Sequence, residues 1–483
     1  MSRRIRHIIL AVAILVGTLF FVWWNLHNPV RNFAQGVPGA DNRPPRSDSV
    51  SENVVIGELF FEPGGVLTQL TETWPRFRGS DFDNISKSNI SLIKGFGGKA
   101  PEPVWSVELG EGHAGAAIWK GAVYVLDYDE LRRSDILRCF NLADGKEIWQ
   151  RGYRVTIRRN HGMSRTVPAV TEKYIVTMGP RAHVMCVDRP TGALRWGLDV
   201  EKTYKTEIPF WYTGQCPIID NDHAIIATGG SDILIAIDCE TGLITWKTPN
   251  PGNWKMSHSS IMPMTFGGRK MLVYSAVGGI CGVAADGPDA GQILWSSTAW
   301  NKSVVAPSPV CLPDGKIFLT AGYGAGSMMI RLKQAGSRFD VEVVDQFPPS
   351  QGLACEQQSP LLFQGHLIGI QPKDAAALRN QLVCFKPDDL RNPVWASGSE
   401  ERFGLGPYLI ADNKLFILND DGVLTIATPS IKSYLKVDQI KLFEGQDAWA
   451  PIAVADGYMV LRDSKRMVCL KMTDDRRPMT DDR

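Results

Sequence analysis

Hydrophobic and polar positions alternate in short runs through most of the chain, and the runs recur as one motif. ILRCFNLADGKEIW at 136–149 returns as HVMCVDRPTGALRW at 183–196 and as ILIAIDCETGLITW at 233–246. Each copy reads as an alternating strand, a tight turn on Asp-Gly or Thr-Gly, and a second strand ending in tryptophan. Looser copies follow at 280–295, 328–344, 382–395 and 423–437, and a half copy at 466–472 has no strand after it. Residues 103–107, PVWSV, carry the tryptophan but have no strand before them. These two halves are expected to pair, one hairpin drawn from both ends of the chain.

A further pair of strands precedes each hairpin, marked by a proline, a few residues, a turn and an apolar run. The marker falls at Pro168, Pro217, Pro263, Pro309, Pro360, Pro407 and Pro451, at intervals of 44 to 51 residues, with Ala116 in its place in the first unit. Eight units of four short antiparallel strands describe an all-β, eight-bladed β-propeller. A blade shared between N- and C-terminal strands fits that reading, because closure removes the exposed edges an open array would leave. None of the 14 tryptophans is followed by aspartate, which sets the repeat apart from a WD40 blade.

The first residues follow another pattern. Arg3, Arg4 and Arg6 precede an uncharged run from Ile8 to Trp24, with only Arg31 shortly after it. Such a run predicts one apolar helix at the short limit for spanning a bilayer. No A-x-A-like cleavage site precedes Asn28-Pro29, which favours an uncleaved signal anchor over a cleaved signal peptide. The arginines place the N-terminus in the cytoplasm and the remainder outside, as a single-pass protein of the inner (cytoplasmic) membrane with a periplasmic, extracytoplasmic propeller. The expected organisation is a signal anchor at 1–27, a spacer at 28–73 containing Pro44-Pro45 and Gly64-Gly65, a lead-in segment at 74–100, the propeller at 101–472 and a charged tail at 473–483.

Composition changes the picture in two places. The 52 Lys+Arg against 51 Asp+Glu become 49 against 51 once the three N-terminal arginines are set aside, so nucleic acid is not an expected partner. The nine cysteines of an exported chain invite a disulfide count, but Cys139, Cys186, Cys281, Cys384 and Cys469 share one repeated place in apolar strands. Equivalent points on successive blades are too far apart to bridge, so these read as small buried hydrophobes.

The hairpin with its terminal tryptophan resembles the repeat of the pyrroloquinoline-quinone (PQQ) propellers. The stretch WPRFRGS at 74–80, followed by Ile85-Ser86, resembles the opening of membrane-linked members of planctomycete type, with Ser80 and Asn84 departing from its Pro and Gly. The resemblance covers about three quarters of the chain. It implies that Trp105, Trp149, Trp196, Trp246, Trp295 and Trp395 are structural, each docking across to the next blade.

In such a blade the loops leading into the first strand and those joining the second to the third share one face. That face is long and chemically varied, whereas the opposite turn face is tight and generic. Its loops make a funnel of candidate ligand-binding residues: His113, His161, Arg165, Tyr212, Gln215, His258, Lys302, Glu356, Gln357, Gln358, Lys373, Arg402, Asp447 and Trp449. Trp211 and Tyr323 lie in the same loops. His113, His161 and His258 could hold zinc, although intervening blades spread them around the ring. Asp127 and Asp129 could help ligate calcium, the ordinary reading being acidic turn residues. Arg165, Lys302, Lys373 and Arg402 could form a cationic ring for an anion.

Three functions are weighed. A binding or scaffold module needs no catalytic residue, and similar propellers serve as scaffolds, as in the lipoprotein subunit of the outer-membrane barrel assembly machinery. Its occupant would be a protein, peptide or glycan. A PQQ-dependent (quinoprotein) dehydrogenase would need calcium ligands and, by resemblance, an adjacent cysteine pair over the quinone; no two cysteines are adjacent here, and no C-x-x-C-H haem motif exists. A cofactor-independent hydrolase or lyase would use the histidines and Glu356 of the funnel. The binding module is the favoured expectation.

Overall fold

The structure, a computed structural model, describes residues 2–27, 53–444 and 447–473. The expected spacer up to residue 52 and the charged tail from residue 474 lie outside the described residues. The chain divides into two units, Met1–Asn53 and Val54–Arg483. In the first, Arg3–Leu26 is a helix of 24 residues with no buried side chain. At 1.5 Å per residue it extends about 36 Å, enough for a hydrocarbon core of about 30 Å. It is long and apolar enough to cross a membrane.

The second unit folds as eight antiparallel sheets around a central channel, an eight-bladed β-propeller. Each blade runs from an inner strand A to an outer strand D. In blade 1 these are Ala117–Trp119, Ala122–Asp129, Ser134–Asn141 and Glu147–Arg154. Apolar alternation buries strands B and C almost completely, as the fully buried Tyr174–Met178 of blade 2 illustrates. The last blade takes strands A to C from Ala453–Ala455, Tyr458–Arg462 and Arg466–Lys471, and strand D from Trp105–Glu108, in the register Trp105 with Cys469. All nine cysteines are free.

The C–D hairpins join neighbouring blades. Their turn glycines have positive φ, 71° at Gly145 and 68° at Gly192, which the tight turn requires. The missing Cβ also admits the tryptophan of the preceding blade. A Cβ on Gly145 would stand 2.5 Å from Trp105, on Gly192 2.7 Å from Trp149, on Gly242 2.8 Å from Trp196 and on Gly291 2.9 Å from Trp246. Trp105 and Trp196 also donate Nε1–H to the next blade's Leu142 and Cys239 carbonyls, at 2.7 and 3.0 Å. Trp395 donates to Ser430 of blade 7 at 3.1 Å.

Trp295 departs from this arrangement. The C–D hairpin of blade 5 is long, Gly326–Ala335 and Arg338–Phe347, and its turn glycine Gly336 stands clear of every neighbour. With no turn within reach, Trp295 folds back over Gly282 and donates to Met271 Sδ of its own blade at 3.2 Å. The marker position also shifts in blade 4: Pro263 lies inside strand A, Met262–Phe266, rather than before it.

The segment before the propeller is built into it. Residues 54–73, assigned from sequence to the spacer, lie along blade 1. Leu59–Phe61 adds a fifth strand outside strand D, with Phe60 opposite Arg151, and Thr73–Trp74 adds one inside strand A. From there the chain threads the channel. Pro75 accepts a hydrogen bond from Val170 N–H of blade 2 at 2.8 Å, and Ser86 N–H donates to Ile410 O of blade 7 at 2.8 Å. Between them the buried Arg78 guanidinium donates to Phe82, Ser359 and Pro360 carbonyls at 2.8, 3.0 and 3.0 Å. Asp412, Asp438 and Asp456, from blades 7 and 8, accept the backbone N–H groups of Leu92, Phe96 and Glu72, which holds the two ends of the thread to the ring.

A chain of side-chain hydrogen bonds runs around the channel two residues ahead of successive A strands. Val167 N–H donates to Cys216 Sγ at 3.2 Å, Cys216 N–H to Ser260 Oγ at 2.9 Å, Ser260 N–H to Ser308 Oγ at 3.0 Å and Ser308 N–H to Ser359 Oγ at 2.7 Å. Each link satisfies a buried backbone donor that no ladder reaches.

Two outcomes follow. Deleting residues 466–483 removes the partner of Trp105–Glu108 and exposes edges on both sides of blade 8, so the whole ring loses its cooperative thermal transition by circular dichroism; an unchanged melting temperature would refute the closure. Ser308→Ala strands the buried Ser260 N–H and lowers stability by about 1–3 kcal/mol in urea denaturation, while Ser303→Ala, outside the chain of bonds, leaves it within error.

Candidate functional site

On the long-loop face the channel opens into a cavity of about 540 Å³, within the range of small-molecule sites. Phe77 of the threaded segment lines it, so the segment that fills the channel also makes the bottom of a blind funnel. Of the residues singled out by sequence, His113, His161, Arg165, His258, Glu356, Gln357, Gln358, Lys373 and Trp449 come together on its wall. The loops of blades 1 and 2 are tied to each other. Gly162 N–H and Arg159 both donate to the Glu111 carboxylate, at 3.1 and 2.5 Å, and His113 N–H donates to Ser164 O at 2.7 Å.

Arg165 points one end of its guanidinium at backbone: Nη2 donates to the carbonyls of Asn160, His161 and Gly162 at 3.1, 2.6 and 3.3 Å. Burial pulls its pKa down to about 10, leaving it charged at neutral pH. His113 is buried, stacked on Trp449 with ring centroids 4.8 Å apart, and hydrogen-bonded through Nε2 to His161 O at 3.0 Å. Burial first, then Arg165 and Arg462, press its pKa to about 3. His258 is bonded to the Tyr212 backbone, and burial followed by Arg165 lowers it to about 4. Both imidazoles are therefore neutral across the physiological range.

The opposite wall carries Glu356, whose carboxyl is raised by burial, with Lys373 opposing and Asp374 and Asp420 reinforcing the shift. Lys373 Nζ stands 4.0 Å from Glu356 and 5.9 Å from the centre of the Tyr323 ring. Trp211 and Tyr323 stack with centroids 5.5 Å apart at 17°, forming an aromatic plate beside the mouth. Gln358 Nε2 donates to Trp449 O at 3.2 Å and bridges blades 6 and 8.

Other sequence candidates are placed elsewhere. Gln215 is fully buried and closes a pair of hydrogen bonds with the Ala227 backbone. Tyr212 donates its hydroxyl to Arg158 O at 2.6 Å. Arg402 spends its guanidinium on the Ser399 and Arg379 carbonyls, and Lys302 lies over the Trp300 ring at 5.1 Å. Asp447 adjoins the wall residue Trp449 without lining the cavity. The four-membered cationic ring thus reduces to Arg165 and Lys373. Asp127 is taken up by Arg138 at 3.1 Å and Gly110 N–H at 2.7 Å, and Asp129 by Arg132. Among the described residues no three His, Cys, Asp or Glu side chains are grouped to hold a metal, so the three histidines do not make a zinc site.

The residues present do not fit a quinone–calcium centre. Among the described residues the wall offers no cluster of metal-ligating side chains, and the cysteine that lines it, Cys216, has its sulfur engaged by Val167 N–H. Phe77 and Ser260 were not among the funnel residues read from sequence, and Trp211 and Tyr323 were placed in its loops without being singled out as ligand contacts. Trp211 and Tyr323 were visible in the right loops, whereas nothing local to WPRFRG marks its phenylalanine as a channel residue. Positive φ at His161, Tyr212, Tyr323 and Asp447, between 51° and 67°, turns the mouth loops in ways their side chains do not announce.

Residues 132–338 match the family described as outer membrane protein assembly factor BamB. Among solved structures, BamB from Moraxella catarrhalis is 12% identical over 77% of this chain and 100% of that chain, with a TM-score of 0.52. A europium-containing methanol dehydrogenase is 12% identical over 83% and 90%, with a TM-score of 0.46, and a quinohemoprotein alcohol dehydrogenase from Comamonas testosteroni is 12% identical over 84% and 82%, also at 0.46. No curated protein matches the sequence. At these identities the solved structures speak for the fold alone: the chain is an eight-bladed β-propeller, with the family match confined to residues 132–338.

Proposed function

We propose that the protein is a membrane-anchored, extracytoplasmic binding module whose ligand site is the funnel. The observation that carries this reading is the blind cavity itself: the channel is filled by the chain's own segment at Phe77 and Arg78, and loops from several blades converge on the space that is left. Its chemistry favours binding over proton transfer. Imidazoles with pKa values of about 3 and 4 are weak proton acceptors at neutral pH, and a general base is most effective when its pKa lies near the working pH. What remains is a preorganised wall of one guanidinium, one ammonium 4.0 Å from the Glu356 carboxyl, three imidazoles and aromatic faces. BamB is an assembly factor by name, and the same fold used for recognition here agrees with that precedent.

The anchor follows from the helix Arg3–Leu26 and the arginines that precede its apolar run. Protease added to intact spheroplasts digests the propeller while a cytoplasmic control survives; protection equal to that control would overturn the orientation.

The site is tested by capture. The full chain, purified in detergent and exposed to an envelope extract, retains a compound detectable by mass spectrometry, and Trp211→Ala or Lys373→Met releases most of it at unchanged melting temperature. Retention that ignores both substitutions places the binding elsewhere and refutes the funnel.

A further inference from the structure

Three buried polar atoms of residues that line the funnel have no hydrogen-bond partner among the described residues: Nδ1 of His113, Nε of Arg165 and Nε2 of His258. Such atoms are rare in native interiors, because leaving one unmatched leaves its desolvation cost uncompensated. Here three of them stand on one cavity. His113 and Arg165 share the His161 carbonyl as acceptor, at 3.0 and 2.6 Å, which sets them side by side, and His258 lies close enough to Arg165 to feel its charge.

Their hydrogen-bonding character is fixed by what the rest of each group does. His113 donates through Nε2, so in the neutral ring Nδ1 is a lone pair. Burial keeps His258 neutral beside the Tyr212 backbone, and its Nε2, without a partner among the described residues, is free to accept. Arg165 Nε carries a hydrogen and a share of positive charge. The complement is a ligand that is anionic at one point, carries two hydroxyl or amide donors beside it, and has an apolar face. Trp449, stacked on His113, and the Trp211–Tyr323 plate supply flat aromatic surface for that face.

Resting on the binding-module reading above, we infer that the funnel takes an acidic sugar residue: a pyranose ring with a carboxylate. Its carboxylate meets Arg165 Nε–H and the Lys373 ammonium, its ring hydroxyls donate to His113 Nδ1 and His258 Nε2, and its C–H face lies against an aromatic ring. An inorganic anion satisfies the cations but offers no donors to both imidazoles. A fatty acid has no donors at all. A peptide C-terminus brings its carboxylate with a single neighbouring N–H, one donor for two acceptors.

The probe is tetragalacturonate, titrated calorimetrically into the full-length protein in detergent, alongside its methyl ester and a tripeptide with a free carboxylate. Tetragalacturonate is expected to bind, the ester to bind at least about tenfold more weakly, and the tripeptide not to compete. Lys373→Met and Trp211→Ala, both near the surface, each weaken tetragalacturonate by about tenfold with the melting temperature retained, and Arg165→Lys, which keeps the charge but loses Nε–H, does the same. Equal affinity for the ester, displacement by the tripeptide, or no binding of tetragalacturonate overturns the acidic-sugar assignment. If a compound from the envelope extract is then still released by Trp211→Ala, the funnel remains the binding site and only the ligand class is wrong. If neither tetragalacturonate nor any retained compound responds to Trp211→Ala and Lys373→Met, both readings fall.

Discussion

Everything in this propeller depends on one pairing of strands. Trp105–Glu108 and Arg466–Lys471 are hundreds of residues apart in sequence, yet their ladder is what makes the eighth blade a four-stranded sheet. Without it the array would end in two exposed edges and the channel would not be a closed space. The blades then settle against one another through contacts that are local in the ring but not in the chain. A tryptophan from one blade covers the turn glycine of the next, and a side-chain oxygen or sulfur from one blade accepts the N–H of its neighbour beside the channel. Both act only when the ring holds successive blades at a fixed angle.

Closure alone would leave an open channel. The segment after Thr73 changes that, because it joins blade 1 as an extra inner strand and then crosses toward blades 6 and 7. Arg78 illustrates why the thread stays in place. A buried guanidinium is costly unless its donors are met, and here Nε and both terminal nitrogens find carbonyls, two of them from the start of strand A in blade 6. The same residues that anchor the thread therefore set the depth of the funnel, and the candidate site is a consequence of how the chain begins its propeller as much as of the loops around it.

This division explains what the sequence disclosed. Blade number, the shared last blade and the buried cysteine positions follow from period-two alternation and turn chemistry, which are written locally and repeated many times. The funnel was legible as a set of loops and only partly as a set of side chains. Lys302 and Arg402 occupy the proper loops but are consumed by Trp300 and by carbonyls of their own surroundings. Phe77 and the fold-back of Trp295 depend on a neighbouring element's path or length, which no local pattern encodes. The left-handed backbone at Tyr212 and Tyr323, residues that rarely adopt it, likewise reflects the tertiary frame overriding local preference.

The electrostatics of the funnel add a last constraint. His113 and His258 have folded-state pKa values far below that of a free imidazole, so between about pH 3 and 6.5 the unfolded chain binds more protons than the folded one. Their contribution favours folding most above that window and is withdrawn as the pH falls through it. Asp135, fully buried between blades 1 and 2 and raised to about 7 by desolvation, works in the opposite sense: the folded state holds its proton, and that advantage fades as the pH climbs from the ordinary carboxyl range through 7. Near neutrality the imidazoles are already discharged and most of the Asp135 advantage has been withdrawn. In slightly acidic to neutral medium both imidazoles of the funnel wall thus stay neutral. Burial alone, with Arg165 held beside both rings by three backbone carbonyls, sets that condition.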